Sequence, residues 1–279
     1  MIIQWFPGHM TKAIREAEQN LKVVDALIYV LDARAPLACV NDYFLRKMSG
    51  KPVLYVLNKA DLADDQITKQ WIKYLSAGEA SAVSVTATKS GGAKAILPEL
   101  KRLTLSRVQK WKQKGVNYVP KAMVAGIPNT GKSSIINSLC GAARAKTGNK
   151  PGITRGRQWV RLEDIELLDT AGILAPRIDD QALARHLAYI GSIKDDILDI
   201  IELARIFLKE MIERFSQNVI SRYGDIINSP EPLTDICRAR GYLLKGGEID
   251  LERGAKAVLD DFRSGRLGNI TLESPPVKD

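Results

Sequence analysis

Short apolar segments alternate with amphipathic segments along the first 177 residues of this 279-residue chain. Continuous apolar runs bounded by polar residues predict buried strands, and such runs lie at 25–34, 52–57, 82–85 and 122–125. Between them, apolar residues recur at helical spacing, which predicts helices at 12–23 (with Thr11 as the N-cap), 41–48, 66–76 and 96–111. Regular alternation of strand and helix is typical of an α/β domain with a parallel sheet.

The pattern changes in the remainder of the chain. Residues 157–162 and 165–168 predict a β-hairpin. From about residue 178, apolar residues recur at helical spacing, and no proline occurs between Pro176 and Pro230. Segments 233–244 and 250–262 predict two further helices. We therefore predict an α/β domain over residues 1–177, followed by a smaller all-helical domain over residues 178–279.

Composition narrows the class of protein. Hydrophobic residues make up 45% and charged residues 26%, an ordinary globular mixture. The three cysteines lie far apart without a C-x-x-C pair, which argues against a zinc site or a disulfide framework. No signal peptide pattern opens the chain, and no apolar run is long enough to span a bilayer. We expect a cytoplasmic protein with no membrane span.

The net charge of +9 is unevenly distributed along the chain. Residues 100–162 hold fourteen Lys or Arg residues and no Asp or Glu. Residues 178–279 hold 14 basic and 18 acidic residues, so the first 177 residues carry a net charge of +13. A basic surface of this kind indicates a polyanionic partner such as RNA, with a generally basic, solvated face as the alternative.

Residues 126–133, G-I-P-N-T-G-K-S, fit the phosphate-loop pattern G-x-x-x-x-G-K-[ST]. The motif lies between a predicted strand and a predicted helix, which is the context that a phosphate loop requires. Lys132 would reach the terminal phosphates of a nucleotide, and the Ser133 hydroxyl would bind Mg²⁺. The predicted phosphate-binding residues are Asn129, Thr130, Gly131, Lys132, Ser133 and Ser134.

A second motif predicts that the base is guanine. Asn58, Lys59, Ala60 and Asp61 follow the second strand and match N-K-x-D. The Asp61 carboxylate would accept hydrogen bonds from both guanine N1–H and the exocyclic amine, a donor pair that adenine lacks. Asn58 would brace the loop and contact guanine N7. After the third strand, Thr86 and Ala87 would support the base through backbone N–H groups, or are simply small residues after a strand.

Two further segments supply metal-binding and switch residues. Thr154, in the flexible segment 150–156, is the candidate threonine that closes over Mg²⁺ when a γ-phosphate is present. Asp169 and Gly172 belong to a D-x-x-G sequence after an apolar strand. Asp169 would hold Mg²⁺ through water, and the Gly172 N–H would contact the γ-phosphate.

These motifs are those of a GTPase, but their order is permuted, because the guanine-reading segments precede the phosphate loop. The chain resembles the YlqF/RbgA family of circularly permuted GTPases. The residues that carry this resemblance are W-F-P-G-H-M at 5–10, N-K-A-D at 58–61, the loop 126–134, P-G-I-T at 151–154 and D-T-A-G at 169–172. It implies a P-loop GTPase fold and GTP hydrolysis in bacterial large ribosomal subunit assembly. It also implies binding to the pre-ribosomal particle through rRNA, and we expect a monomer.

The resemblance raises two questions about catalysis. Ile173 follows Gly172, where many GTPases place a glutamine that orients water; in the family the histidine equivalent to His9 is proposed for that task, the alternative being a structural histidine. Asn129 is the candidate K⁺ ligand, the alternative being an asparagine that shapes the loop. The candidate catalytic residues are thus His9, Lys132 and Thr154, with Mg²⁺ and K⁺ as cofactors.

Alternatives to this function remain open from the sequence. One is a GTPase that acts on another RNA, in tRNA modification or translation, and another is a signalling switch with protein partners. In the helical domain, His186 and Cys237 are predicted to be ordinary helix residues rather than metal ligands. The tail, 265–272, either packs back on the protein or contacts RNA.

Overall fold

The structure is a computed structural model that describes residues 2–3, 9–47, 50–144, 159–162, 164–170, 172–173 and 178–277; at residues 9–14, 43, 47 and 142–144 only the backbone is described. The chain forms two compact units. The α/β unit comprises Trp5–Ile178 and Thr271–Asp279, and the helical unit comprises Met1–Gln4 and Asp179–Ile270.

The α/β unit contains a sheet whose six described strands have the order β3-β2-β1-β4-β6-β5. Four of the five neighbouring pairs are parallel, and only β5 and β6 pair antiparallel, as the predicted hairpin. The strands are β1 (Ala26–Asp32), β2 (Val53–Asn58), β3 (Ser81–Ser84), β4 (Lys121–Ala125), β5 (Trp159–Leu162) and β6 (Ile165–Asp169). The predicted α/β class and the positions of the strands are confirmed.

Helices connect these strands. The described helices of this unit are α1 (His9–Leu21), α2 (Pro36–Cys39), α3 (Asp42–Lys47), α4 (Asp65–Leu75), α5 (Ile96–Lys112) and α6 (Lys132–Arg144). The prediction that Thr11 caps the first helix is wrong, because α1 begins at His9 and Thr11 lies inside it. The short helix α2 has no counterpart among the predictions, since four residues are too few for a periodic pattern.

The continuous apolar runs are explained by where their strands lie. All seven residues of β1 are buried, because β1 lies between β2 and β4 and is covered on both faces. Ile28, Val56 and Val124 contribute to one core cluster together with Ile135 from α6 and Leu100 from α5. Because β1, β2, β3, β4 and β6 are parallel, the segments that follow them meet at one edge of the sheet, where open α/β sheets bind ligands.

The helical unit contains α7 (Gln181–Tyr189), α8 (Ile200–Arg214), α9 (Ser216–Tyr223), α10 (Pro232–Ala239) and α11 (Leu251–Arg263). Its core includes Tyr189, Phe207 and Phe262, with ring centroids 4.9 Å and 5.4 Å apart in successive pairs. The predicted helix at 233–244 is wrong in its second half. The helix ends at Ala239, Gly241 has a positive φ of 63°, and Leu243 forms an antiparallel bridge with Ile249.

The ends of the chain do not follow the predicted division at residues 177 and 178. The N–H of Ile3 donates to Gln181 Oε1 (2.7 Å), so this N-terminal residue packs in the helical unit. Residues 271–277, in contrast, belong to the α/β unit. The predicted domains are consecutive segments, whereas each compact unit takes residues from both ends of the chain.

Candidate nucleotide-binding site

The phosphate loop connects β4 to α6 and turns tightly at its two glycines. Gly126 has a φ of +148°, and a Cβ there would lie 2.4 Å from the carbonyl oxygen of Val30. Gly131 has a φ of +93°, and a Cβ there would lie 2.2 Å from Asn58 Nδ2. Both positions therefore require glycine. The loop leads into the N-terminus of a thirteen-residue helix, whose N–H groups and dipole favour an anion.

Lys132, the first residue of α6, is buried and folded over the loop. Its Nζ donates to the carbonyl oxygen of Ile127 (2.7 Å). Burial lowers the pKa of the Lys132 ammonium to about 8, and the negative charge of Asp169 partly offsets that effect. The geometry supplies a desolvated cation beside the helix N-terminus, where it can bind a phosphate oxygen.

Asn58, the last residue of β2, joins three segments through its side-chain amide. Its Nδ2 donates to the carbonyl oxygen of Thr130 in the phosphate loop (2.8 Å). Its Oδ1 accepts from the N–H of Ala87, after β3 (3.1 Å). The Ala87 N–H thus holds Asn58 in this structure, and its predicted support of the base stays a prediction.

Lys59 adopts a left-handed backbone conformation (φ +59°), and its Nζ lies 2.8 Å from Asp32 Oδ2 at the end of β1. Arg34 donates to the same carboxylate through Nε (2.9 Å) and Nη2 (2.7 Å). Burial alone would raise the pKa of the Asp32 carboxyl, but the charges of Arg34 and Lys59 outweigh it and hold that pKa well below its usual range. The second residue of N-K-A-D is therefore fixed by a buried ion pair.

Asp61 lies in a 3₁₀ helix, Ala60–Leu62, directly after this lysine. The N–H of Ala60 donates to the carbonyl oxygen of Val85 (3.1 Å), which ties the N-K-A-D segment to the segment that precedes Thr86. The Asp61 carboxylate is partly exposed, and its described ion-pair contact is Lys89 Nζ at 3.8 Å. The carboxylate is accessible to a base that enters the edge of the sheet.

The D-T-A-G segment lies against the phosphate loop. The N–H of Ile173 donates to the carbonyl oxygen of Gly126 (3.0 Å). A Cβ on Gly172 would lie 2.8 Å from the backbone of Pro128, so the close approach of the two loops requires glycine there. Ile173 itself is buried. The predicted γ-phosphate sensor is therefore adjacent to the predicted phosphate site.

The chemistry of this edge fits Mg²⁺. Asp169 Oδ1 is buried and has no hydrogen-bond partner among the described residues, which is the condition of an oxygen that serves a metal ion or its water. Burial raises the pKa of the Asp169 carboxyl, and the charge of Lys132 opposes that shift. Ser133 is exposed in the first turn of α6. Asp169 and Ser133 would hold Mg²⁺ beside bound phosphates, which supply its remaining ligands.

The other predicted residues are described to different extents. Asn129 is exposed and has a positive φ of 61°, and Ser134 is half-buried in α6. His9 begins α1, but its side chain is outside the described atoms, and Thr154 lies outside the described residues.

His186 Nε2 lies 3.2 Å from Glu210, and Cys237 is buried in α10. Across the described part of the chain, no His, Cys, Asp and Glu residues cluster as a metal site.

Sequence reasoning missed Asp32 and Arg34 as parts of this site. The signal was present as D-A-R directly after the apolar run of β1, where a buried strand ends in charged residues.

No helix in the described part of the chain is long and apolar enough to cross a membrane.

The chain is similar to known proteins over nearly its whole length. Residues 121–226 match the domain family described as 50S ribosome-binding GTPase. The chain is 41% identical to ribosome biogenesis GTPase A of Bacillus cereus, covering 99% of this chain and 95% of that protein. It is 37% identical to ribosome biogenesis GTPase A of Bacillus licheniformis, covering 99% of both chains. The structure matches GNP-bound YlqF from Thermotoga maritima with a TM-score of 0.66 and 28% identity, over 95% of this chain and 98% of that one.

Proposed function

The chain belongs to the ribosome biogenesis GTPase A (YlqF) family, and from this premise we propose that it hydrolyses GTP to drive a late step of bacterial large ribosomal subunit assembly. The observation that carries the proposal is the side chain of Asn58, which joins the phosphate loop to the segment after β3. That junction brings a guanine-reading motif and a phosphate-binding motif, 72 residues apart at the contact, to one edge of the sheet.

We assign the base to the N-K-A-D segment and the phosphates to the loop and α6. Asp61 reads guanine by accepting from N1–H and the exocyclic amine, and an adenine base would leave its carboxylate unpaired. Lys132 leaves the Ile127 carbonyl for the terminal phosphates. Ser133, Thr154 and Asp169, the last through water, would hold Mg²⁺, which when bound would supply positive charge to the phosphates. The Gly172 N–H responds to the γ-phosphate.

His9 completes catalysis in this proposal. Ile173 is buried and apolar, so it cannot hydrogen-bond the attacking water. His9 begins a helix of the same α/β unit, in the N-terminal segment that carries the family motif W-F-P-G-H-M. We propose that contact with the ribosomal particle brings the His9 imidazole to the attacking water. Hydrolysis is therefore slow until the particle is bound.

Asn129 provides the K⁺ site in the proposal. Asn129 has a left-handed backbone conformation (φ +61°) and is exposed in the phosphate loop. An amide oxygen there would help to coordinate K⁺ next to the bridging phosphate oxygen. The ion would add positive charge in the transition state, as an arginine finger does.

The RNA-binding surface that we propose is the C-terminal end of α5 and the turn after it. Lys110, Lys112 and Lys114 are exposed, and none of the described carboxylates forms an ion pair with them. Trp111 stacks on Tyr118 with ring centroids 5.4 Å apart, and Lys114 Nζ lies 5.3 Å from the Trp111 ring. Lysines of this kind beside aromatic rings suit phosphate contacts and base stacking.

We propose that the protein works in the cytoplasm as a monomer. The candidate site draws its described residues from one α/β unit of one chain, so hydrolysis does not require a second copy. Cys39, Cys140 and Cys237 are buried, and no disulfide joins any of them in the described part of the chain, which suits a reducing compartment. The α/β unit would hydrolyse GTP.

The test is sedimentation of the full chain with large-subunit precursors and a nonhydrolysable GTP analogue across a salt series. We expect the affinity for the particle to fall steeply as the salt concentration rises. The slope of log affinity against log salt concentration should become smaller by about one for each phosphate that a variant no longer neutralises. The variant Lys110→Glu/Lys112→Glu/Lys114→Glu should fail to bind, whereas Lys194→Glu/Lys209→Glu/Lys245→Glu, an equal charge change on exposed residues, should bind normally. Stimulation of hydrolysis by tRNA or by a protein alone, without large-subunit particles, would favour a GTPase of another RNA or a signalling switch.

A further inference from the structure

The segment Thr271, Leu272 and Glu273 is buried in the α/β unit, although it follows the last residue of the helical unit. The N–H of Leu272 donates to the carbonyl oxygen of Arg34 (2.7 Å). The Glu273 carboxylate accepts from the N–H groups of Leu37 (2.5 Å) and Ala38 (3.1 Å). These contacts fix the chain that follows β1.

The same three residues also contact the chain that follows N-K-A-D. Thr271 Oγ1 accepts from the N–H of Asp64 (3.0 Å), the residue that caps α4. The buried Trp71 donates its Nε1–H to the carbonyl oxygen of Glu273 (2.9 Å). The tail is therefore bonded to the segments on two sides of the guanine-reading loop, at 34–38 and at 64–71.

An ion-pair chain connects the first of these contacts to the loop itself. Arg34, whose carbonyl oxygen holds Leu272, clamps the Asp32 carboxylate with its guanidinium. The same carboxylate binds Lys59, which immediately precedes the 3₁₀ helix that carries Asp61. Displacement of the tail would free the segment that holds Arg34, and through it the position of Lys59.

We propose that residues 271–273 form a brace that positions the N-K-A-D loop and thereby sets affinity and selectivity for guanine nucleotides. Glu273 is a positioning residue in this inference, since its carboxylate holds the N–H groups of Leu37 and Ala38 in the segment that follows Arg34. The inference deepens the proposed function and rests on it. Through the peptide bond between Ile270 and Thr271, the brace connects the end of the helical unit covalently to the guanine site. A partner that binds the end of the helical unit could therefore act on that site.

The test measures how well Asp61 reads the base. Inosine diphosphate lacks the exocyclic amine of GDP, so the ratio of their affinities reports contact with the Asp61 carboxylate. In Glu273→Ala and in a chain ended after Ile270, we expect that ratio to fall roughly tenfold, while affinity for inorganic pyrophosphate stays unchanged. Glu273→Gln keeps an acceptor oxygen and should restore most of the ratio. A chain ended after Ser274, which keeps the brace, is the matched control.

A second measurement follows from linkage, because a brace that favours GDP must itself be favoured by GDP. Hydrogen exchange of the Leu272 amide in the wild-type protein should slow on addition of GDP. An unchanged exchange rate, or a folded Glu273→Ala variant with the wild-type ratio, overturns the inference. If the wild-type protein binds neither GDP nor GTP, the proposed function fails instead.

Discussion

The side-chain amide of Asn58 occupies the space that a β-carbon on Gly131 would need. An added Cβ at Gly131 would lie 2.2 Å from Asn58 Nδ2, and that nitrogen donates to the carbonyl oxygen of the preceding residue, Thr130. The guanine-reading motif and the phosphate loop are therefore in direct contact. The glycine and the asparagine constrain each other, although 72 residues separate Asn58 from Thr130.

A double-mutant cycle should reveal this constraint. Asn58→Ala leaves the Thr130 carbonyl and the Ala87 N–H without their partner, so we expect a loss of about 1–3 kcal/mol in the free energy of unfolding. Gly131→Ala adds a steric conflict and backbone strain. In the double variant the steric conflict disappears. Its loss in the free energy of unfolding should therefore be smaller than the sum of the two single-variant losses by at least about 1 kcal/mol. Denaturant unfolding and GDP titration measure both effects.

Gly126→Ala is the matched control for that cycle. Its Cβ would lie against the Val30 carbonyl oxygen and not against Asn58. Its cost should therefore be the same with Asn58 or with alanine at position 58. Additive losses for Gly131→Ala and Asn58→Ala would contradict the relationship.

Asp169→Asn should separate magnesium binding from folding. Asp169 is half-buried, and its Oδ1 atom is buried without a hydrogen-bond partner in the described part of the chain. Burial raises the pKa of the Asp169 carboxyl, so at neutral pH its charge lowers the stability of the nucleotide-free protein. We expect the variant to be at least as stable as the wild type. Its affinity for Mg²⁺ in the presence of GTP should fall roughly 10–100-fold. Asp164→Asn, at the exposed hairpin, should leave the magnesium titration unchanged.

Lys132→Met should abolish nucleotide binding and yet stabilise the empty protein. The pKa of Lys132 in the folded state is about 8, below its usual 10.5, so the unfolded chain binds more protons between these values. Wild-type stability should rise with pH across that interval. At pH 7 we expect the variant to gain about 1–2 kcal/mol, and the difference should vanish near pH 10.5. Urea unfolding from pH 7 to 10.5 measures this, with exposed Lys110→Met as the control.

The fold was largely predictable because its strands are short and buried. Apolar runs identify β1, β2 and β4, and the motifs at their ends identify the edge of the sheet that binds ligand. The tail was not predictable in the same way. Leu272 and Glu273 belong to no periodic pattern, and their partners lie more than 200 residues earlier in the chain. Contacts of that kind depend on tertiary structure, which local sequence does not encode.

The helix predicted at 233–244 shows a second limit. Its apolar residues continue past Ala239, but Gly241 takes a left-handed conformation and Leu243 turns to pair with Ile249. Gly241 is the signal that could have ended the prediction, since glycine is common just after a helix. The Asp32–Arg34–Lys59 cluster was also visible in part, because charged residues ended a buried strand.

A potassium effect should depend on Asn129. If its amide oxygen helps to bind K⁺, we expect wild-type hydrolysis to be roughly tenfold or more faster in KCl than in NaCl at equal ionic strength. Asn129→Gly can keep the positive φ without the amide, so it should retain GDP affinity and show no preference for K⁺. Equal wild-type rates in the two salts would remove the K⁺ site from the mechanism.

The two histidines of this chain allow a clean test of catalysis on the particle. His9→Ala should leave GDP affinity and the slow intrinsic hydrolysis unchanged, because in the proposal His9 reaches the attacking water only on the particle. Ile173 cannot hydrogen-bond that water in the wild type or in the variant. It should reduce particle-stimulated hydrolysis roughly 10²–10⁴-fold, the range expected for loss of a general acid or base. His186→Ala is the control, since that imidazole is held by Glu210 within the helical unit. Single-turnover assays with saturating particles distinguish a slower chemical step from weaker binding. Full stimulation of His9→Ala would assign the water to a ribosomal group, because the buried isoleucine cannot take its place.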